Sequence, residues 1–311
     1  MNRLLIAALV GLVAGSARAE MMNARIRFEP SEAISQAGRS ICLKTEVVQV
    51  RPGALVIEPN DFSVFQPANP NGRVVDAEGS LSRAAVTHMK ELGWRFEITD
   101  PGEYVVWMRA WFPLAAGYNH FEKLDDGESM MVFDSVDGGK IDKFGSLPGG
   151  SAMDGKWLEP KMWHWYPNCT YKLAKGKHFL HFPPNGAWCG GCLLDRMVLV
   201  KKGGGERAEL ADPQGRRVVR VPVGEIVSRR IKTERIAKWT LEAEADKGDG
   251  KLEFEYSYGG ETWAAFTPGE VLSPDDKTEY LYIRIRLAGV EKGLQPIVYG
   301  YRFRVEKKEK R

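Results

Sequence analysis

Apolar and polar residues alternate along most of this chain with a period of two, the spacing of a strand with one dry and one wet face. Gly93-Trp94-Arg95-Phe96-Glu97-Ile98 is such a run, and a turn at Asp100-Pro101-Gly102-Glu103 leads from it into Tyr104 to Phe112. There Tyr104, Val106 and Met108 alternate with Val105, Trp107 and Trp111, which predicts a central strand covered on both faces. Further strands are predicted at Ile41 to Val50, Ala54 to Glu58, Ser129 to Asp134, within 173–182 after a turn, and at Leu193 to Val200. A helical period is offered only by Leu81 to Glu91, and its valine, threonine and methionine weaken it. Tyr118-Asn119-His120 and the acids Glu122, Asp125, Asp126 and Glu128 read as loop.

The glycine triplet in Lys201-Lys202-Gly203-Gly204-Gly205-Glu206-Arg207 has charged flanks and no apolar period, so it marks a boundary. Beyond it Trp239, Leu241, Ala243 and Ala245 form one apolar face, and Leu252, Phe254, Tyr256 and Tyr258 form another. With Asp246-Lys247-Gly248-Asp249-Gly250 between them, the two runs predict a hairpin. Leu281 to Leu287 and Tyr301 to Val305 alternate in the same way. The chain therefore reads as all-β, with two antiparallel sandwiches at 20–202 and 216–306, a linker at 203–215 and a basic tail at 307–311.

The first nineteen residues stand apart. Met1-Asn2-Arg3, an apolar run from Leu4 to Gly15 and Ala17-Arg18-Ala19 make a cleavable export signal, which implies a secreted or periplasmic protein. No later segment is apolar enough to cross a bilayer as a helix. The formal charge is +3, and removing Arg3 and Arg18 leaves 3 − 2 = +1, a balance that argues against nucleic acid as a partner. Four cysteines in an exported chain favour disulfides, with three pairings open. Cys189-Gly190-Gly191-Cys192 lacks both a second C-x-x-C for zinc and the βαβ setting of a thioredoxin, so a bridge tying down a loop is the preferred reading.

Candidate chemistry concentrates between Trp157 and Val200. Four of the nine tryptophans lie there (Trp157, Trp163, Trp165 and Trp188), with three of the five histidines. Flat aromatic surfaces bury the C–H faces of pyranoses while amides and acids bond the hydroxyls, so loop tryptophans beside asparagines suit a glycan. In an extended Trp163-His164-Trp165-Tyr166, Trp163 and Trp165 share one face, and one of the two faces belongs to the core. Tyr118 is a further candidate for the same rim.

The order of signals over 54–200 resembles a galactose-binding-type β-sandwich, above all the carbohydrate-binding modules of families six and thirty-five. The residues that carry the resemblance are Ile57-Glu58-Pro59-Asn60-Asp61-Phe62, Trp94 to Ile98 with Pro101-Gly102-Glu103-Tyr104, Val132-Phe133-Asp134, Leu173 to His178, and Leu194 to Leu199. The resemblance implies a jelly-roll fold and a sugar held at one rim by Asn185 and Trp188. It also implies a structural calcium on Glu58 and Asp195, two donors where calcium takes roughly six to eight oxygens. Tyr258-Gly259-Gly260-Glu261-Thr262-Trp263 resembles a hairpin turn of exported sandwich domains, of Ig-like or discoidin-like kind, in which Trp263 packs in the core or on the hairpin.

These features point to an exported, non-catalytic glycan-binding protein. An adhesive or structural envelope protein that binds another protein is the alternative. A lyase or hydrolase is a second one, with Tyr118, His120 and Lys123, or His164 and Tyr166, as its candidate groups.

Overall fold

The computed structural model describes residues 21–50, 53–69, 71–81, 85–111, 117–126, 130–137, 140–141, 163–182, 192–202, 217–220, 222–275, 277–290 and 293–308. Within 117–123, 130–137, 140–141, 164, 166–169 and 217–220 the backbone alone is described. The export signal, the linker 203–215 and the tip of the basic tail lie outside these residues.

The fold is all-β, and among the described residues it is antiparallel apart from one parallel pairing, between Glu46–Gln49 and Met89–Ile98. Its first sandwich packs a six-stranded sheet on an eight-stranded one. In the six-stranded sheet Gly102–Trp111 lies between Trp163–Leu173 and Leu193–Lys201, and Ala54–Ile57 also pairs with Leu193–Lys201. In the other, Met89–Ile98 pairs with Gly176–Phe182, which pairs in turn with Gly117–Leu124. Between the sheets sit Trp94, Phe96, Tyr104, Val106, Met108, Leu180 and Leu199, all essentially excluded from water. Gly102–Trp111 is covered on both faces as its sequence predicts. Its other side joins Val105 and Trp107 to Ala54, Val56, Val198 and Val200 in a second buried cluster.

The second sandwich is built from both ends of the chain, which corrects the expected boundaries. Met22–Ala24 pairs with Ile297–Lys307, Ala24 opposite Phe303, and Ser40–Leu43 pairs with Ile297 and Val298 of the same strand. The expected strand from Ile41 to Val50 is in fact two, Ser40–Leu43 in the second sandwich and Glu46–Gln49 in the first. Alternation explains the double membership: Ile41 and Leu43 point into the second core while Cys42 points into the first. In the same way Arg217–Arg220 pairs with Glu46–Gln49 and so belongs to the first sandwich.

Two more expectations are corrected. The 246–250 turn does not make a hairpin. Ile236–Asp246 pairs with Ile297–Lys307, whereas Lys251–Tyr258 pairs with Tyr280–Ala288 in the opposite sheet. The chain arches over the core edge instead, and Trp239 meets Tyr256 across the interior, ring centroids 5.5 Å apart. A period of two states which face is dry; it does not state which strand pairs with which. The described part of the stretch from Leu81 to Glu91 is not helical either: Ala85–Thr87 and the start of Met89–Ile98 are strands, broken at His88 with φ of 52°. β-branched Val86 and Thr87 favour that outcome. Trp263, expected in the core or packed on the hairpin, is half-buried, with the Arg284 guanidinium 4.1 Å over its ring.

Candidate functional site

The candidate site is the outer face of the six-stranded sheet, where strand register brings aromatic rings and ion pairs together. Trp111 lies opposite Trp163, and Arg109 lies opposite Trp165. Side chains two residues apart share a face, so Trp107, Arg109 and Trp111 from one strand and Trp163 and Trp165 from its neighbour project the same way. Trp107 is buried there, and Trp165 packs partly buried against its cluster. Trp111, Trp163 and Trp165 are each half-buried. The indole N–H of Trp107 is buried with no hydrogen-bond partner among the described residues.

Trp163 is held on three sides. Its indole N–H donates to the Glu78 carbonyl at 2.9 Å, and the Arg109 guanidinium lies 4.9 Å from its ring centre. Gly79, at φ of 77°, lets the chain pass so close that a Cβ would stand 2.9 Å from the indole nitrogen. One ring face is therefore occupied by Arg109.

Arg109 and Asp195 tie the 77–81 turn to the sheet. Register slips between Arg109 and Ala110, so Arg196 and Leu194 are paired and Asp195 becomes the extra residue of a bulge. Asp195 is fully buried, side-chain exposure 0%. It accepts from Arg109 Nη1, from Ser80 Oγ at 2.5 Å and from the Leu81 amide at 3.1 Å. Arg109 also donates to the Gly79 carbonyl at 3.0 Å. A second pair stands nearby: Arg196 grips Glu58 with both prongs, at 2.7 and 3.3 Å. Glu58 caps the 3-10 turn Pro59–Asp61.

These contacts bear on the calcium that the resemblance implies. Glu58 and Asp195 each already face a guanidinium. A calcium would have to displace two arginines and gather further oxygens, and among the described residues no group of three metal-ligating side chains exists. The described residues do not fit the ion.

Other expected site residues fall apart. Tyr118 is not in a loop: it lies on Gly117–Leu124, paired with Asp134 in the eight-stranded sheet. Asp125 accepts from His178 Nδ1 at 2.9 Å and from the Phe179 amide at 2.7 Å, while His178 Nε2 faces the Ala174 carbonyl. Both nitrogens of that histidine are engaged in bracing the hairpin. Trp157, Asn185 and Trp188 lie outside the described residues. Arg109, Trp111 and Arg196 were missed in the sequence, although Trp107-x-Arg109-x-Trp111 in one strand signals a shared face.

No family model and no curated protein matches the chain. Among solved structures, a GH26-CBM35 β-(1,4)-mannanase from Podospora anserina is 15% identical over 48% of this chain, with a TM-score of 0.34. This chain covers 28% of that enzyme. The CBM35 from Cellvibrio japonicus Abf62 is 12% identical over 47% of this chain and 92% of its own length, TM-score 0.31. A Paenibacillus xanthan lyase aligns over 79% of this chain and 25% of its own length, at 11% identity and a TM-score of 0.29.

Proposed function

We propose that this is an exported, non-catalytic glycan-binding protein whose first sandwich holds a neutral poly- or oligosaccharide against the tryptophan face. One observation carries the reading: Trp111, Trp163 and Trp165 are half-buried side by side on a sheet face braced by two arginine–carboxylate pairs. Rings fixed in that way present apolar area at little cost in side-chain entropy, and the Arg109 and Arg196 guanidiniums supply donors for hydroxyls. Trp157, Asn185 and Trp188 remain part of the proposed site on sequence grounds. Export through a leader cut after Ala17-Arg18-Ala19 belongs to the proposal, as does one disulfide. Cys42 is buried and free, which leaves Cys192 to bridge to Cys169 or Cys189.

Affinity electrophoresis of the mature protein in gels containing neutral polysaccharides tests this, beside Trp163→Phe and Trp188→Ala. Retardation that weakens in the variants while their melting temperatures hold supports the reading. Absence of retardation in every glycan refutes it, and new reducing ends or unsaturated products would make the protein an enzyme.

A further inference from the structure

The second sandwich carries a groove that the tryptophan face does not explain. About 710 Å³ in volume, it opens between the strand Met22–Ala24 with the chain that follows and the hairpin of Ile34–Ala37 and Ser40–Leu43. Five arginines line it, Arg25, Arg27, Arg39, Arg229 and Arg302, and among the described residues no aspartate or glutamate does.

The sequence builds this directly. Ile26 and Phe28 turn inward to the second core, so alternation throws Arg25 and Arg27 outward. Arg39 sits at the hairpin tip beside Gly38, whose φ of 61° makes the turn. The Arg229 amide donates to the Arg27 carbonyl at 2.7 Å, which brings a fourth guanidinium alongside. Arg302 comes from the central strand Ile297–Lys307.

Charge in the groove is not balanced locally. Arg229 pairs with Glu29 at 3.0 Å and Arg302 approaches Glu242 at 3.8 Å. Arg25, Arg27 and Arg39 are exposed and face no carboxylate among the described residues. Three unpaired like charges beside two weakly paired ones repel each other, and such an arrangement is relieved by a polyanion. The floor is polar and fixed: Gln36 Nε2 donates to the Tyr301 hydroxyl at 2.8 Å, and the Tyr301 ring meets Phe28 edge-on, centroids 5.4 Å apart.

We infer that this groove binds an acidic polysaccharide, one bearing carboxylate or sulfate groups along its length. Guanidinium forks match carboxylate and sulfate oxygens two by two, which a set of lysines would not. A nucleic acid fits less well. Single strands need rings on which bases stack, whereas the one tyrosine here is tied down by Gln36 and Phe28. The inference does not rest on the tryptophan face, which lies on the other sandwich.

Polygalacturonate is the probe, with a neutral galactomannan and a single-stranded oligonucleotide as the other arms. Affinity electrophoresis and titration of the full chain should show polygalacturonate held, and held less well as salt rises. The pair Arg25→Ser with Arg27→Ser should weaken it by about tenfold or more at an unchanged melting temperature, and Arg39→Glu should do the same from the hairpin side. The inference is overturned if polygalacturonate does not bind, if the variants bind it as the parent does, or if the oligonucleotide binds more tightly. Loss of galactomannan binding in Trp163→Phe with polygalacturonate retained would isolate a failure of one site from the other.

Discussion

Asp195 and Cys42 illustrate how far single residues decide the behaviour of this chain. Asp195 is a buried carboxylate whose charge is met by Arg109 and two further donors, so removing it strands a guanidinium that is only 13% exposed. Breaking a buried pair from one side costs about 3–5 kcal/mol, and Asp195→Asn should lose stability of that order in urea denaturation. Because guanidiniums occupy Glu58 and Asp195, the melting temperature should be the same in excess calcium and in a chelator. A calcium-dependent rise would show that the arginines are displaced. Cys42 is buried between the sheets, and desolvation pushes its thiol from an ordinary 9.0 up to about 12. The same cause pushes the Tyr299 phenol up to about 12. Both groups lose their protons first in the unfolded chain, so the stability they contribute is complete below about pH 9 and is lost as pH rises toward 12. Urea midpoints should fall over that interval, less steeply in Cys42→Ala, and the native Cys42 thiol should resist alkylation at neutral pH.

At the scale of strands and turns, what the sequence discloses is the dry face of each element, and what it withholds is the partner. Gly102–Trp111 was legible as a doubly covered strand because both of its alternating sets are bulky. Trp239 to Ala245 and Leu252 to Tyr258 were legible as strands, yet their pairing was not, since a short turn serves a hairpin and an arch equally. Gly248 separates the two cases. Its φ is 56°, and a Cβ there would run into the Leu294 carbonyl oxygen, a contact that exists only because the arch packs on 293–296. Gly248→Ala should therefore cost more than the roughly 1 kcal/mol that a positive φ alone costs in an open turn, measured by thermal or urea unfolding. The candidate site was half legible: Trp163 and Trp165 on one face followed from alternation, but the ion pairs at Glu58 and Asp195 depend on a bulge that no local pattern announces.

Across the whole molecule the two sandwiches are interlocked rather than strung in series. Ser40–Leu43 gives Cys42 to one core and Ile41 and Leu43 to the other, while Ile297 from the second sandwich closes the first core. The Tyr299 hydroxyl accepts from the Val74 amide at 3.3 Å, and Arg73 meets Glu244 at 2.6 Å. Shared strands make shared stability, so calorimetry should give one unfolding transition, and a fragment of residues 216–306 alone should not fold. Two separated transitions would contradict that coupling. The interlock also fixes two chemically distinct surfaces on one body, a tryptophan face and an arginine groove. The tryptophan face is the centre of the functional account, and neutral-polysaccharide affinity of the mature protein, parent against Trp163→Phe at matched melting temperature, tests it most directly. The parent should be retarded and the variant at least severalfold less so; equal mobility of the two in every neutral glycan gel would contradict glycan binding at this face.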